Sequence, residues 1–338
     1  MPEGHSVHRI ARQFARHFVG ARVAVTSPQG RFADGATVLD GRTMTDARAV
    51  GKQMFLEFDE AIWLRVHLGI YGAWDFHGAV AQDATQRSAG GRMGQTNQRG
   101  TDLDDAVSDA RTTVVGEHED SLASIGAPRR TRLRMAEADT ETEVDSTFPP
   151  EPVGQVRVRL LTESAVADLR GPTACEVLDA AAVQSVVDAL GPDPEIDDPE
   201  VGEQRMLERV RRRRVPIALL LMDQSVVSGI GNVYRAELLF RARLDPFATG
   251  ASLPDDLVRD LWRDWRYLLG VGIETGQMLT MDGLDDEAQR AALRSRADRH
   301  WVYKREGLPC RICGTHVTMQ LLAARKLYWC PSCQEPAS

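Results

Sequence analysis

The sequence has no long apolar run. Its longest, residues 215–222, has eight residues and is interrupted by Pro216, whereas a helix that crosses a membrane needs about 20. The N-terminal residues contain no signal-peptide core, because histidines and arginines separate their apolar side chains. We therefore expect a cytoplasmic protein with no membrane partner.

Basic residues are not in excess, since the formal net charge is −8. The charge is uneven, however, because residues 83–152 contain fourteen acidic and eight basic residues, a balance of −6. Only −2 of the total remains for the rest of the chain, which includes four consecutive arginines at 211–214. Because the distribution of charge matters more than its total, the acidity does not exclude a nucleic-acid partner.

Large apolar residues are also few in residues 78–150. Alanine, glycine, serine, threonine and aspartate are common there, without a clear period. A segment of this composition buries too little apolar surface to offset the entropy lost on ordering. We predict a largely disordered insertion that takes no part in catalysis.

Cysteine is scarce, with five residues in the chain. Four of them form two Cys-x-x-Cys pairs near the C-terminus: Cys310, Cys313, Cys330 and Cys333. Sixteen residues separate the pairs, which is typical of a structural zinc site with four thiolate ligands. We predict one structural zinc ion, with a redox pair as the alternative. The fifth cysteine, Cys175, is interpreted as a small core residue rather than a reactive thiol.

Apolar residues at helical spacing predict an amphipathic helix over residues 4–18. Short strand-like runs follow it: Arg22–Thr26, Gln53–Phe58, Ile62–His67, 71–74, 155–161 and 165–169. The runs on either side of the insertion would pair in one β-rich domain. Gly-Pro-Asp-Pro at 191–194 then predicts a linker.

Helical patterns dominate after this linker, at about 200–213, 216–223, 232–241 and 254–273. The third helix follows the turn Ser-Gly-Ile-Gly-Asn at 228–232. Free backbone N–H groups in such a turn can hold a phosphate, and a short glycine-containing turn suits a helix-turn-helix arrangement. An ordinary turn between helices is the alternative.

The chain begins Met1-Pro2-Glu3. Removal of Met1 would leave a secondary amine, and an α-amino group has a pKa of about 7.7–8.0. Such an amine can attack a carbonyl-like carbon to give an iminium that acts as an electron sink. Glu3 is placed to move the protons that this chemistry requires. The alternative is a chance start without chemical meaning.

Three features occur in one order: Pro2-Glu3, the sequence Gly-Ile-Gly-Asn-Val-Tyr-Arg-Ala-Glu at 229–237, and two Cys-x-x-Cys pairs followed by Gln334. Together they resemble the formamidopyrimidine-DNA glycosylase / endonuclease VIII family of base-excision repair enzymes. The resemblance covers nearly the whole chain outside the insertion. It implies an α+β multidomain fold, with an N-terminal β-sandwich led by a helix, a helix-two-turn-helix domain and a C-terminal zinc-finger hairpin. We place these parts at 1–180, 200–285 and 300–338, with a linker at 181–199.

The resemblance also implies roles for individual residues. Pro2 would attack C1′ of the damaged nucleotide, and Glu3 would be the general acid/base that helps to open the sugar. β-Elimination followed by δ-elimination would then cut the strand on both sides. Lys52, counted with the catalytic residues, would bind the phosphate beside the lesion. Asn232 and Arg325 match the family's other phosphate contacts.

The implied partner is double-stranded DNA that contains damaged bases or abasic sites, bound by a monomer with one zinc ion. A cytoplasmic protein of this kind would be nucleoid-associated when bound to DNA. Family members fill the hole left by a flipped base with a wedge of side chains. Ile70 and Tyr71 match this position, and the alternative is that both are strand core residues. His5 and Ser6 depart from the family, which usually has proline and glutamate there.

Three functions are compatible with these residues. Met-Pro-Glu-Gly is closer to the endonuclease VIII branch, which favours excision of oxidised pyrimidines. A glycosylase for oxidised purines, such as 8-oxoguanine or formamidopyrimidine, differs only in the pocket for the lesion. A non-catalytic damaged-DNA-binding protein would use the helix turn and the zinc hairpin but would not need a free secondary amine.

Overall fold

The computed structural model describes residues 2–80, 92–93, 148–294 and 298–336. It divides into two compact units: the first contains Pro2 and residues 6–187, and the second contains residues 3–5 and everything from Asp188 onward. Most of the predicted insertion lies outside the described residues. Within the described ranges, no helix combines the length and apolarity needed to span a bilayer.

The first unit is an antiparallel β-sandwich led by helix α1 (Gly4–His17). Its strands are β1 (Arg22–Thr26), β2 (Arg42–Val50), β3 (Gln53–Phe58), β4 (Ile62–His67), β5 (Ala73–Gly78), β6 (Arg92–Met93), β7 (Val156–Leu161), β8 (Ala165–Arg170) and β9 (Ala174–Asp179). Helices α2 (Ala33–Leu39) and α3 (Ala180–Asp188) complete it. The strand order is β6-β5-β8-β7-β1-β2-β3-β4-β9. Because β1 pairs with both β7 and β2, it joins the two halves of the sandwich.

The core of this unit lies under one face of α1. Ile10, Phe14 and Phe18 are fully buried, because residues three and four apart share a helix face. The Phe14 ring lies edge-on against Trp74, with 4.8 Å between centroids. Burial of each such side chain contributes about 1.5–3 kcal/mol. The predicted leading helix is therefore confirmed, and its apolar stripe anchors the N-terminus to the sandwich core.

Three of the predicted strands have the expected bounds. β1, β3 and β4 begin and end at the predicted residues. The predicted strand at 71–74 is wrong in its bounds, because 71–72 belong to a turn and β5 begins at Ala73. β2 was not predicted, since arginine, threonine and aspartate interrupt its apolar residues. α3 was also missed, and it occupies the start of the predicted linker.

The second unit contains helices α4 (Pro199–Arg211), α5 (Ile217–Leu220), α6 (Asn232–Arg241), α7 (Asp255–Thr275) and α8 (Asp286–Arg294), followed by a hairpin of β10 (Thr318–Leu322) and β11 (Arg325–Trp329). α4 begins sharply, because the Asp198 carboxylate accepts hydrogen bonds from two backbone N–H groups and Pro199 occupies the first turn. α7 ends at Gly276, whose φ of 70° is the left-handed conformation common after helices. Trp262 and Trp265 of α7 form the centre of the core.

Glu237 ties α6 to the loop that precedes the hairpin. Its buried carboxylate accepts hydrogen bonds from the N–H groups of Trp301, Val302 and Tyr303, at 2.7 to 2.9 Å, and from the Thr280 hydroxyl. Burial raises the pKa of Glu237, although these hydrogen bonds oppose the shift. The segments predicted as a helical domain and a zinc hairpin therefore belong to one compact unit.

The hairpin turn between β10 and β11 is strained. Leu322 pairs with Arg325, so Ala323 and Ala324 alone form the turn, with φ values of 48° and 61°. Two-residue turns of this kind favour asparagine and glycine, because the left-handed conformation costs other residues about 1–2 kcal/mol. The turn thus keeps two alanines in a conformation that suits glycine.

We expect Ala324→Gly to stabilise the hairpin by about 0.5–1 kcal/mol, since relief of strain exceeds the extra entropy that glycine loses. The urea concentration that releases zinc to a chromogenic chelator measures the change. Ala181→Gly, on exposed helical backbone of α3, is the matched control and should cost up to about 1 kcal/mol. Earlier zinc release from Ala324→Gly than from the parent protein would contradict the strain.

Candidate catalytic and DNA-binding residues

Glu3 caps the N-terminus of α6. Its carboxylate is 1% exposed and accepts hydrogen bonds from the N–H groups of Gly231 (3.0 Å), Val233 (2.9 Å) and Tyr234 (3.3 Å). The first N–H groups of a helix have no partner within it, and their partial positive charge favours an anion. The turn predicted to offer its N–H groups to a phosphate therefore gives one of them, that of Gly231, to Glu3, and the first turn of α6 gives the other two.

Glycines in this turn permit the close approach of the N-terminal residues. A Cβ atom on Gly231 would lie 2.3 Å from Cδ of Glu3, which no real structure tolerates. Gly4 donates its N–H to the Gly229 carbonyl at 2.9 Å, and a Cβ on Gly4 would lie 2.9 Å from Cα of Gly229. Gly231 is thus required by the Glu3 contact, and Gly4 by its close approach to Gly229.

Aromatic rings enclose the same region. The Tyr234 ring lies 4.8 Å from Trp265 and 5.6 Å from His5, edge-on to each. Burial, with the Glu3 carboxylate, raises the pKa of the Tyr234 hydroxyl well above its ordinary value. Gly272 gives His5 room, since a Cβ there would lie 2.9 Å from Cβ of His5. His5, which departs from the family pattern, is therefore buried among the residues that surround Glu3. Ser6, the next residue in the sequence, is also buried.

Asn232 and Arg325 belong to one cluster on α6 and β11. The Asn232 amide donates to the Lys326 carbonyl at 2.9 Å and accepts from the Arg235 guanidinium at 2.5 Å. Arg235 also donates to the Lys326 carbonyl at 3.0 Å. Arg325, adjacent to Lys326, is exposed. The predicted phosphate contacts Asn232 and Arg325 are thus joined through Lys326.

Arg235 was not singled out from the sequence. Its side chain is fully buried, and burial, with the nearby Arg325, lowers its pKa to about 10. The only local signal was its position three residues after Asn232, which places both on one face of a helix. The hydrogen bond from Arg235 to the Lys326 carbonyl could not be predicted, because the two residues are far apart in the sequence.

The four C-terminal cysteines form a metal centre. Their Sγ atoms all lie within 4.8 Å of one another, with 3.9 Å between Cys310 and Cys333 and 3.4 Å between Cys313 and Cys330. Tetrahedral zinc with Zn–S bonds of about 2.3 Å needs sulfur separations of about 3.8 Å. The donor set and its spacing therefore fit one structural zinc ion. Gln334 braces the centre by accepting from the Cys330 N–H and donating to the Leu244 carbonyl.

Lys52 lies at the tip of the β2–β3 hairpin in the first unit. Val50 pairs with Gln53, so Gly51 and Lys52 form a two-residue turn in which Gly51 has a φ of 58°. Gln53 pairs in turn with His67. Burial, followed by the charges of Lys52 and Arg65, lowers the pKa of His67 from 6.5. His67, which sequence reasoning missed, is therefore an electrostatic neighbour of Lys52.

Ile70 and Tyr71 lie in the turn between β4 and β5. Their side chains are 45% and 46% exposed, so neither is a strand core residue. Elsewhere in this unit Pro2 is buried, and burial raises the pKa of Cys175 to about 12. That thiol is packed against the sandwich core, in agreement with its predicted structural role.

Three family models match separate parts of the chain. The formamidopyrimidine-DNA glycosylase N-terminal domain matches residues 1–113, and the H2TH domain of the same enzymes matches 190–282. A zinc finger found in FPG and IleRS matches 307–336. The chain belongs to the formamidopyrimidine-DNA glycosylase / endonuclease VIII family. Members of this family are DNA glycosylases with AP lyase activity that act in base-excision repair.

Two relatives illustrate the similarity of this chain to members of the family. Endonuclease 8 1 of Mycobacterium tuberculosis is 36% identical over 334 residues, which is 99% of this chain and 100% of the relative. Formamidopyrimidine-DNA glycosylase of Thermus thermophilus is 40% identical over 122 residues, 35% of this chain and 44% of the relative.

Solved structures show the same fold. MutM (Fpg) of Thermus thermophilus covers 100% of both chains, with a TM-score of 0.63 and 21% identity. Lactococcus lactis Fpg in complex with abasic-site DNA covers 99% of this chain and 100% of its own, with a TM-score of 0.64 and 17% identity. The sandwich, the helix-two-turn-helix domain and the zinc finger are therefore those of this family.

Gly231→Ala is expected to reduce base excision at least tenfold, because the added Cβ displaces the Glu3 carboxylate from α6. Single-turnover excision from a damaged duplex, with zinc content measured in parallel, tests this. Gly270→Ala is the matched control, since its Cβ meets nothing within 4 Å on helix α7. Normal excision by Gly231→Ala would show that the position of Glu3 does not matter.

Proposed function

We propose that this protein is a bifunctional DNA glycosylase/AP lyase that excises oxidised pyrimidines through an N-terminal proline Schiff base. The observation that carries the proposal is the Glu3 carboxylate, which is buried and accepts hydrogen bonds from the Gly231 N–H and from two N–H groups in the first turn of α6. A carboxylate fixed in this way is positioned for proton transfer rather than solvated at random. Glu3 is joined by a peptide bond to Pro2, so both reacting groups come from adjacent residues.

In the proposed reaction, the unprotonated amine of Pro2 attacks C1′ as the bond from C1′ to the damaged base breaks. The Glu3 carboxylate takes the proton that the Pro2 nitrogen loses and passes it to the sugar ring oxygen, and the opened sugar forms an iminium with Pro2. The iminium withdraws electrons and acidifies the C2′ hydrogen. Loss of that proton expels the 3′ phosphate by β-elimination, and δ-elimination then expels the 5′ phosphate. Hydrolysis of the imine releases Pro2.

Phosphate binding is assigned to Lys52 and His67 in the first unit and to Asn232 and Arg325 in the second. Lysine and arginine are the usual donors to DNA phosphates, and asparagine amides and helix N-termini add neutral contacts. Each neutralised phosphate should contribute about −0.9 to the slope of log affinity against log salt. The zinc hairpin carries Arg325, so metal loss should weaken DNA binding more than Pro2 chemistry.

The proposed preference for pyrimidines is supported by the full-length similarity to a relative named Endonuclease 8 1. Purine preference is the alternative, because other relatives are named formamidopyrimidine-DNA glycosylase. The two differ in the pocket for the lesion and share Pro2, Glu3 and the phosphate contacts.

Borohydride trapping on a duplex with one abasic site tests the mechanism. We expect a covalent adduct that peptide mapping locates on Pro2, because reduction fixes the imine. Pro2→Gly should trap more slowly, and Glu3→Gln should lose base excision. Pro28→Gly and Glu60→Gln, both at exposed positions, are matched controls that should react normally. An adduct on a lysine, or normal excision by both variants, would overturn the mechanism.

Lesion choice is tested separately with the same enzyme. Duplexes that carry thymine glycol or 8-oxoguanine are mixed in competition, and the two single-turnover rates are compared. Faster excision of thymine glycol supports the pyrimidine proposal. Faster excision of 8-oxoguanine would replace it with the purine alternative and leave the Pro2 mechanism intact.

DNA affinity should rise as pH falls, through His67. In the free protein the pKa of His67 is lowered from 6.5, so the ring is neutral at pH 7. A phosphate beside the ring favours its protonated form, so this pKa is higher in the complex. The gain in DNA affinity is complete below the pKa of His67 in the free protein. It is lost as pH rises through the higher pKa of His67 in the complex.

Fluorescence anisotropy with an abasic-analogue duplex between about pH 5 and 8 measures this linkage. His67→Gln should remove the pH-dependent part of the affinity. His77→Gln, at an exposed residue of β5, is the control and should keep it. Identical pH profiles for His67→Gln and the parent protein would remove His67 from the phosphate contacts.

A further inference from the structure

The connection between β8 and β9, Gly171-Pro172-Thr173, packs against the turn that carries Ile70 and Tyr71. Gly171 has a φ of 58°, and a Cβ on it would lie 2.9 Å from the Tyr71 carbonyl oxygen. Pro172 restricts the backbone further, because its ring fixes φ near −65°. The backbone behind Tyr71 is therefore stiff and in direct contact with the turn.

Thr173 contacts the other side of the same turn. Its N–H donates to the His67 carbonyl at 2.8 Å, and its Oγ1 lies 3.3 Å from Nδ1 of His67. A Cβ on Gly69 would lie only 1.8 Å from this Oγ1. The Thr173 hydroxyl thus touches both His67, where β4 ends, and Gly69, where the turn begins.

The turn is also closed on itself. The Gly72 N–H donates to the Leu68 carbonyl at 2.9 Å, and Gly69 adopts a φ of 64°. Ile70 and Tyr71 lie at its exposed tip. Side chains that must enter a base stack meet resistance from that stack, and precise sites need support from the residues behind them. The 171–173 connection supplies such support, whereas the exposed tip has none of its own.

We propose that Thr173 is a positioning residue for the wedge, which it holds through Gly69 and aligns with the phosphate-binding residues through His67. This inference rests on the proposed function, because it assumes that Ile70 and Tyr71 enter duplex DNA. Thr173 touches neither the lesion nor Pro2 in this scheme. It acts by keeping the 68–72 turn rigid and by fixing the His67 ring, whose neighbour is Lys52.

Thr173→Val tests the role of the hydroxyl, because valine keeps the shape of threonine and removes its oxygen. Thr173→Ser keeps the hydroxyl and should rescue the function. Thr37→Val is the matched control, since the Thr37 hydroxyl bonds only the Ala33 carbonyl on exposed helix α2. The probe is a duplex with a tetrahydrofuran abasic analogue opposite 2-aminopurine, whose fluorescence rises when the opposite base is unstacked.

At saturating protein, Thr173→Val should give less than half of the parent fluorescence rise, and its kcat/KM for base excision from duplex DNA should fall about five- to tenfold. Cleavage of single-stranded abasic DNA should stay within twofold of the parent rate, because no opposite strand has to be wedged. Thr173→Ser and Thr37→Val should match the parent protein in all three measurements.

The outcomes separate this inference from the proposed function. A full fluorescence rise with Thr173→Val overturns the positioning role, while Pro2 trapping stays intact. Loss of single-strand cleavage together with the fluorescence rise also overturns it, because the residue would then support the fold in general. If the parent protein neither traps on abasic DNA nor unstacks 2-aminopurine, the proposed function itself fails.

Discussion

The carboxylate of Glu3 on the first turn of α6 is the interaction on which the rest of the structure depends. It joins residue 3 to a helix 228 residues later in the chain. The N–H groups at the start of α6 need an acceptor in any case, and an anion there is favoured by the helix dipole. Folding of the second unit therefore fixes the Glu3 carboxylate. In the proposed reaction, Glu3 is thus positioned by a helix that contributes no reacting atom.

The same helix orients the zinc hairpin. Asn232 and Arg235 reach the Lys326 carbonyl from the first turn of α6, and Glu237 holds the loop before the hairpin. Every residue from Val233 to Phe240 is buried, so α6 cannot shift without disturbing several of these contacts. The hairpin shares a small apolar cluster with Ala236 and Phe240 of α6, and the metal adds the stability that so small a cluster cannot supply. The ten residues of α6 thus link the Glu3 carboxylate to the hairpin that carries Arg325.

Local periodicity predicted the elements whose residues obey it, and contacts between distant residues explain most of what was missed. The zinc ligands follow from their spacing, and the bounds of β1, β3 and β4 follow from short runs rich in apolar residues. β2 escaped because pairing with strands on both sides, rather than its own pattern, makes it a strand. The turn at 228–232 predicted an anion site, but the anion is Glu3, whose position no local rule gives. His67 and Arg235 were missed because they interact with Lys52 and Lys326, and these residues come close to them only in the folded chain.

The run of four arginines at 211–214 also has a different meaning in the folded chain than in the sequence. Arg211 pairs with Asp255, Arg213 lies 3.8 Å from Asp223, and Arg212 lies 4.0 Å from Glu208. Such exposed ion pairs contribute little to stability. Each carboxylate nevertheless offsets the positive charge of the arginine that it pairs with. The run therefore adds less to the positive field than its length suggests. A protein of net charge −8 can bind a polyanion when a few cations are held in place. Lys52, at a hairpin tip, and Arg325, on β11, are the cations that we propose for this role. Recognition then depends on the positions of single residues, and a count of basic side chains is a poor guide to it.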